Sequence, residues 1–133
     1  MLGLAEADHE ESSPNATVKV ISKLTCSLVG EVRNVTIVRY TQAHAIYAQD
    51  HAMETFACNY GLNQTFQQRI GSRDLRISGY DDDGTVRMVE LPGHPFYIST
   101  LFVPQIRSSP GAPHPLVEAY VRAAAEFSET RTR

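Results

Sequence analysis

The 133-residue chain carries only two cysteines, Cys26 and Cys58. That is too few for a disulfide-stapled scaffold or a four-cysteine zinc site, and both are expected as packed thiols acting as small hydrophobes. No apolar run approaches the roughly 18 residues of a membrane span, and the first residues turn acidic too soon after Leu4 for a secretory leader. Positive charge is also short: 12 Lys and Arg stand against 15 Asp and Glu, for a net charge of −3. A phosphate-backbone binder normally shows a basic stripe, so neither nucleic acid nor membrane is an expected partner. The chain contains no Gly-rich phosphate loop and no G-x-S-x-G or G-x-C-x-G nucleophile elbow. Its five histidines (His9, His44, His51, His94, His114) show neither an H-x-x-x-H pair nor Cys/His ligand spacing. No metal and no cofactor is therefore expected. The N-x-T triplets at Asn15, Asn34 and Asn63 read as coincidence in a chain expected to be cytoplasmic.

What is present is globular: 42% hydrophobic and 20% charged residues. A single domain over residues 1–127 with a polar tail at 128–133 is the expected organisation. Met1–Leu4 reads as the end of a helical element and 6–16 as an acidic connector. An apolar stretch at Val18–Leu24 follows. Val35–Tyr40 alternates and is rich in β-branched residues, so it predicts a strand. Ala43–Ala48 and Thr65–Ile70 read as short helices. Leu75–Ser78 and Val86–Leu91 alternate on either side of the Asp81-Asp82-Asp83-Gly84 turn, which predicts a hairpin. Phe96–Val103 reads as a strand bounded by Pro95 and Pro104, and 104–115 as loop. Pro115 suits the first position of a last helix, whose apolar stripe is Leu116, Tyr120, Ala123 and Phe127.

Gly79, Asp81, Asp83, Gly84 and Glu90 fall at positions 1, 3, 5, 6 and 12 of a calcium loop. The first ligand is missing and the flanks are strands, so the acidic cluster reads as a hairpin turn. His94 and His114 each precede a proline at the start of an element, where an imidazole can cap. A Cys58/His dyad would need only a nearby base, but a packed thiol is the plainer expectation.

The segment His94-Pro-Phe-Tyr-Ile-Ser-Thr-Leu-Phe-Val-Pro-Gln105, followed by Ser109-Pro110 and His114-Pro-Leu116, changes the functional reading. It resembles the end of the glutamine amidotransferase domain of CTP synthases, where a strand of form H-P-F-F-x-x-x-Q-F-H-P-E precedes a Ser/Pro-rich loop and a final helix. Leu75–Gly79 with the Asp-rich turn and Val89-Glu-Leu-Pro92 is similar to that family's hairpin. Asn59-Tyr60 and Asn63 stand where the family has R-Y-E-x-N, and Leu2-Gly-Leu4 with Glu10-Glu11 resembles its L-G-L segment and acidic loop. The resemblance runs from Met1 to about Ala124. L-F-V-P-Q and C-N-Y-G-L-N are also similar to an uncharacterised branch related to the CTP synthase C-terminal region.

The resemblance implies an α/β, three-layer class I glutamine amidotransferase-like (flavodoxin-like) fold. This chain would supply its C-terminal half, with a late β-hairpin and a C-terminal helix. It also implies lost glutaminase chemistry. The family's nucleophile lies upstream of L-G-L, before this chain begins. Its catalytic His and Glu fall on Val103 and Gln105. Valine cannot accept a thiol proton and glutamine carries no charge to orient an imidazolium. The family's Arg and Glu around Tyr60 are Asn59 and Gly61, and an Asn cannot replace a bidentate charged grip. The expected function is a divergent domain that binds a partner or small ligand, with Cys58, Asn59 and Tyr60 facing Gln105. The alternative is a glutamine-linked or other hydrolase, acting with a separate nucleophile-bearing segment or through Cys58. A half-domain should leave an uncovered face, so a homo-oligomer or a complementary chain is the expected partner.

Overall fold

The computed structural model describes residues 3–71 and 74–131. In chain order the elements are β1 (Ala7–His9), β2 (Val18–Lys23), β3 (Val32–Ile37), α1 (Gln42–Tyr47), β4 (His51–Thr55), β5 (Tyr60–Leu62) and α2 (Gln64–Gly71). There follow β6 (Arg76–Asp81), β7 (Val86–Glu90), β8 (Ile98–Thr100), a 3-10 turn at Pro104–Arg107 and α3 (Pro115–Arg131). The strands form a three-stranded sheet, ordered β1-β2-β5, and a five-stranded sheet, ordered β4-β3-β6-β7-β8. Pairing in the larger sheet is antiparallel throughout, whereas β1 and β2 run parallel.

Local chemistry explains most of these elements. In β3 the buried Val35 and Ile37 alternate with half-buried Asn34 and Thr36, as a strand with one covered face requires. The β6–β7 hairpin turns at Gly84, with φ of 74°, a left-handed value that glycine adopts without strain. Its three aspartates hold the turn. Asp81 Oδ1 accepts from the amides of Asp83 (3.1 Å) and Thr85 (2.9 Å), Asp82 accepts from Asn34 (2.7 Å), and Asp83 meets Arg33 at 3.5 Å. At α1 the Thr41 hydroxyl caps the His44 amide, and the Glu90 carboxylate accepts from the amides of Gln42 and Ala43, each at 3.0 Å.

The predicted strand at Phe96–Val103 is shorter than its apolar run. Only Ile98–Thr100 forms β8, because the Leu101 amide makes the last bond to β7, at Arg87 O, and the Val103 amide then donates to Thr55 O at the end of β4. Three strands went unpredicted, β4, β5 and β1, the last lying within the segment 6–16 expected as an acidic connector, where it pairs with β2. In β4 the two inward residues are Ala52 and Glu54, so the alternation is there but not as hydrophobicity. Gly3 and Leu4 are irregular rather than helical, and Met1 and Leu2 lie outside the described residues.

One core cluster, with Val35, Ile37, Phe56, Met88, Phe102 and Leu116, lies between the larger sheet and helices α1 and α3. A second gathers Leu62, Ile70, Leu75 and Val86 beneath α2. The stripe predicted on α3 is only begun by this packing. Leu116 is buried, but Tyr120 and Phe127 are 59% and 55% exposed. The helix continues through the first part of the expected polar tail, to Arg131.

Candidate functional site

Beyond β8 the chain passes through Phe102 and Val103 into the 3-10 turn, which Pro104 starts with its fixed φ. This turn carries Val103 and Gln105, the positions singled out in the sequence. Two ties hold it. Val103 N donates to Thr55 O at 2.9 Å, and Arg107 Nη1 reaches Glu54 at 3.6 Å. Glu54 is wholly buried. Its carboxylate accepts from the Tyr47 hydroxyl at 2.7 Å and from His114 Nε2 at 2.9 and 3.2 Å.

The protonation of His114 follows from its neighbours. Its Nδ1 accepts from the Leu116 amide at 3.2 Å, so the proton sits on Nε2, which donates to Glu54. The 3.4 Å approach of Tyr47 to His114 Nε2 then sets donor beside donor, with Glu54 as acceptor for both. Burial, followed by the bond to Glu54 and its charge, pushes the Tyr47 phenol above its ordinary value. A carboxylate surrounded by three protein donors in the interior positions the turn. It has no face open to a substrate.

The other expected site residues sit elsewhere. Cys58 is half-buried, its Sγ donates to Leu101 O at 3.1 Å, and burial pushes its thiol up despite the opposing Arg87 charge. A protonated thiol bonded to a carbonyl is poorly prepared as a nucleophile. Asn59 is exposed, and its carbonyl accepts from Leu24 N at 2.8 Å. Tyr60, on β5, sets its ring against His9 with centroids 5.2 Å apart. Asn63 Oδ1 accepts from the amide (3.1 Å) and hydroxyl (2.9 Å) of Thr65 at the start of α2. His94 and His114 cap as expected, each accepting an amide two residues on through Nδ1 at 3.2 Å.

Val103 and Gln105 do share a cavity. A groove of about 600 Å³ opens between β8, the 3-10 turn and α3, lined among others by Ile98, Phe102, Leu116 and Tyr120. Cys58, Asn59 and Tyr60 are not among its lining residues. Among the described residues that line it, the Tyr120 phenol is the one ionisable side chain, and neither an imidazole nor a carboxylate is among them. The groove can hold apolar or aromatic groups, with the Gln105 amide at its rim. Among the described residues no group of three or more His, Cys, Asp or Glu is placed to hold a metal ion. No described helix is long and apolar enough to cross a membrane.

The Glu54–Tyr47–His114–Arg107 network was not read from the sequence. Its members lie up to 67 residues apart, and only the capping of His114 left a local signal.

No family profile matches the chain. Its sequence is 32% identical to the CTP synthase of Gloeothece citriformis over 129 residues, which is 92% of this chain and 23% of that enzyme. It is likewise 32% identical to the CTP synthase of Archaeoglobus fulgidus, covering 96% of this chain and 26% of that one. Among solved structures, the glutaminase domain of Trypanosoma brucei CTP synthase with bound acivicin superposes with a TM-score of 0.85 at 23% identity, over 95% of this chain and 53% of that one. A Thermoplasma acidophilum protein assigned as a GMP synthase subunit shares the fold at a TM-score of 0.60 and 11% identity, over 85% and 52%. The chain thus spans about a quarter of the CTP synthases it matches and about half of the glutaminase domain. By sequence over nearly all its length the chain belongs to the CTP synthase family, and its fold is that of a CTP synthase glutaminase domain.

Proposed function

We propose that this chain is a divergent CTP synthase-type amidotransferase-like domain without glutaminase activity of its own, acting by binding a partner at the groove between β8 and α3. The observation that carries the reading is that groove itself. Val103 and Gln105, at the positions resembling the family's catalytic His and Glu, line it together with an apolar wall. Where proton transfer would need an imidazole, the surface is instead suited to docking. A complementary β/α segment fits it best. Among the described residues strand β8 pairs on one side only, with β7, and an open edge accepts a further strand. Tyr120, Val121 and Phe127 are each more than half exposed alongside. The solved glutaminase domain is about twice as long as the part this chain covers. A second copy of the chain is the other occupant, and a cytoplasmic setting belongs to the same reading. Gln105 supplies the polar contact. Cys58, Asn59 and Tyr60 take part only with a ligand that extends beyond the groove.

Two measurements test this. Purified chain incubated with glutamine should release no ammonia above a blank, and turnover that disappears in Cys58→Ala would establish the hydrolase alternative. Sedimentation across a concentration series should show self-association of the free chain that Tyr120→Lys reduces. A monomer at all concentrations, which also fails to bind a chain bearing the remaining β/α units, would overturn the docking reading.

A further inference from the structure

A second cavity, of about 570 Å³, lies away from the groove, between the loop after β2, the start of α2 and the β6–β7 turn. Lys23, Arg33 and Arg87 line it together with one carboxylate, Asp83, and with Leu24 and Asn63. Arg87 is the unusual member. It is 5% exposed, and its guanidinium lies over the Phe56 ring, 5.6 Å from the centroid. Asp81 Oδ2 accepts from both its Nε and its Nη2 at 2.8 Å. The other Asp81 oxygen is taken by the Asp83 and Thr85 amides, so Asp81 has nothing left for Nη1. That nitrogen is buried and has no hydrogen-bond partner among the described residues. Two N–H donors are thus desolvated without an acceptor, an arrangement that costs free energy until one arrives.

The ground beside Nη1 belongs to Gly61. A Cβ placed there would lie 3.5 Å from Nη1, and 2.7 Å from Leu24 Cδ2. An acceptor can therefore stand next to the guanidinium because residue 61 has no side chain, once Leu24 rotates aside. We propose that this cavity binds a small oxyanion, a carboxylate or phosphate group, through Arg87 Nη1 opposite Gly61. Leu24 acts as the flap, and Lys23 lines the same cavity, whereas Arg33 there is already paired with Asp83 at 3.5 Å. Guanidinium edges favour such planar or multi-oxygen acceptors.

The test is a titration of the ¹⁵N-labelled full chain with sodium acetate and, separately, with inorganic phosphate, at ionic strength held constant with chloride. Saturable shifts of the Gly61 and Thr85 amides and of Arg87 Nε–H are expected, and whichever probe saturates identifies the class. Leu24→Ala should tighten binding several-fold, because a closed flap lowers the competent fraction. Arg87 is too deeply packed for its removal to be a clean test. Gly61→Asp instead supplies an internal carboxylate: it should abolish the saturable response and melt at a higher temperature than Gly61→Asn, which has the same shape without the charge. Shifts that rise linearly with both probes, as with chloride alone, would overturn the proposal. So would a Gly61→Asp chain no more stable than Gly61→Asn.

Discussion

Replacing Glu54 by alanine should destabilise the protein more than any surface change near the groove. The carboxylate is fully buried and satisfies the Tyr47 hydroxyl at 2.7 Å and His114 Nε2–H at 2.9 Å. Its loss strands both donors, at about 1–3 kcal/mol each, and removing one partner from a buried ionic cluster typically costs about 3–5 kcal/mol in total. Arg107 adds little, because its side chain is 43% exposed and water screens the pair. We therefore expect a loss of about 3–5 kcal/mol for Glu54→Ala, or roughly 10–20 °C in melting temperature for a chain of this size. Glu54→Gln keeps one acceptor oxygen but turns an N–H₂ toward the remaining donor, and should cost about 1–2 kcal/mol. Arg107→Ala should cost under about 1 kcal/mol. Urea unfolding followed by far-ultraviolet circular dichroism gives all three values, with the slope against urea checking that the unfolded states are comparable. Hydrogen exchange at the Val103 and Ile106 amides should quicken in Glu54→Ala, since the turn loses its anchor. A loss below about 1 kcal/mol at unchanged slope would refute the view that Glu54 satisfies the buried Tyr47 and His114 donors.

Tyr47 titrates above its ordinary value in the folded state because of burial and Glu54, so its contribution is complete below about pH 10 and is lost as pH rises further, at up to about 1.4 kcal/mol per pH unit. The stability gap between wild type and Tyr47→Phe should accordingly narrow above pH 10, and a gap independent of pH would contradict this. Asp50 is held down to about 2, first by the Arg39 guanidinium and then by His44, so its pairing is present above the ordinary carboxylate range and is lost as pH falls through about 2. Carboxyl NMR should place its midpoint there, and Arg39→Ala should move it upward. At Gly79, where a Cβ would meet Met88 Cε and Val35 Cγ1 at 3.0 Å, alanine overpacks the contact between β3 and β7 and should cost about 1–3 kcal/mol by thermal unfolding.

Elements whose chemistry is local were legible in the sequence. The β6–β7 hairpin follows from alternation around a glycine turn, α1 and α2 from short helical runs, and α3 from Pro115 and its apolar spacing. Val103 and Gln105 stood out through the resemblance of their segment to the amidotransferase family, which the comparisons by sequence and by fold support. Strand β4 escaped notice because its two buried positions are an alanine and a glutamate, and a periodicity written in hydrophobicity cannot register a charge that points inward. Only the tertiary fold joins Glu54 to Tyr47, His114 and Arg107, since a hydrogen bond across 60 residues leaves no mark on the neighbours of either partner. It also decides which apolar side chains are covered. Leu116 and Tyr120 share one stripe at helical spacing, yet the first is 5% exposed and the second 59%. Spacing assigns a residue to a face of its own helix, while burial depends on what the rest of the chain places against that face.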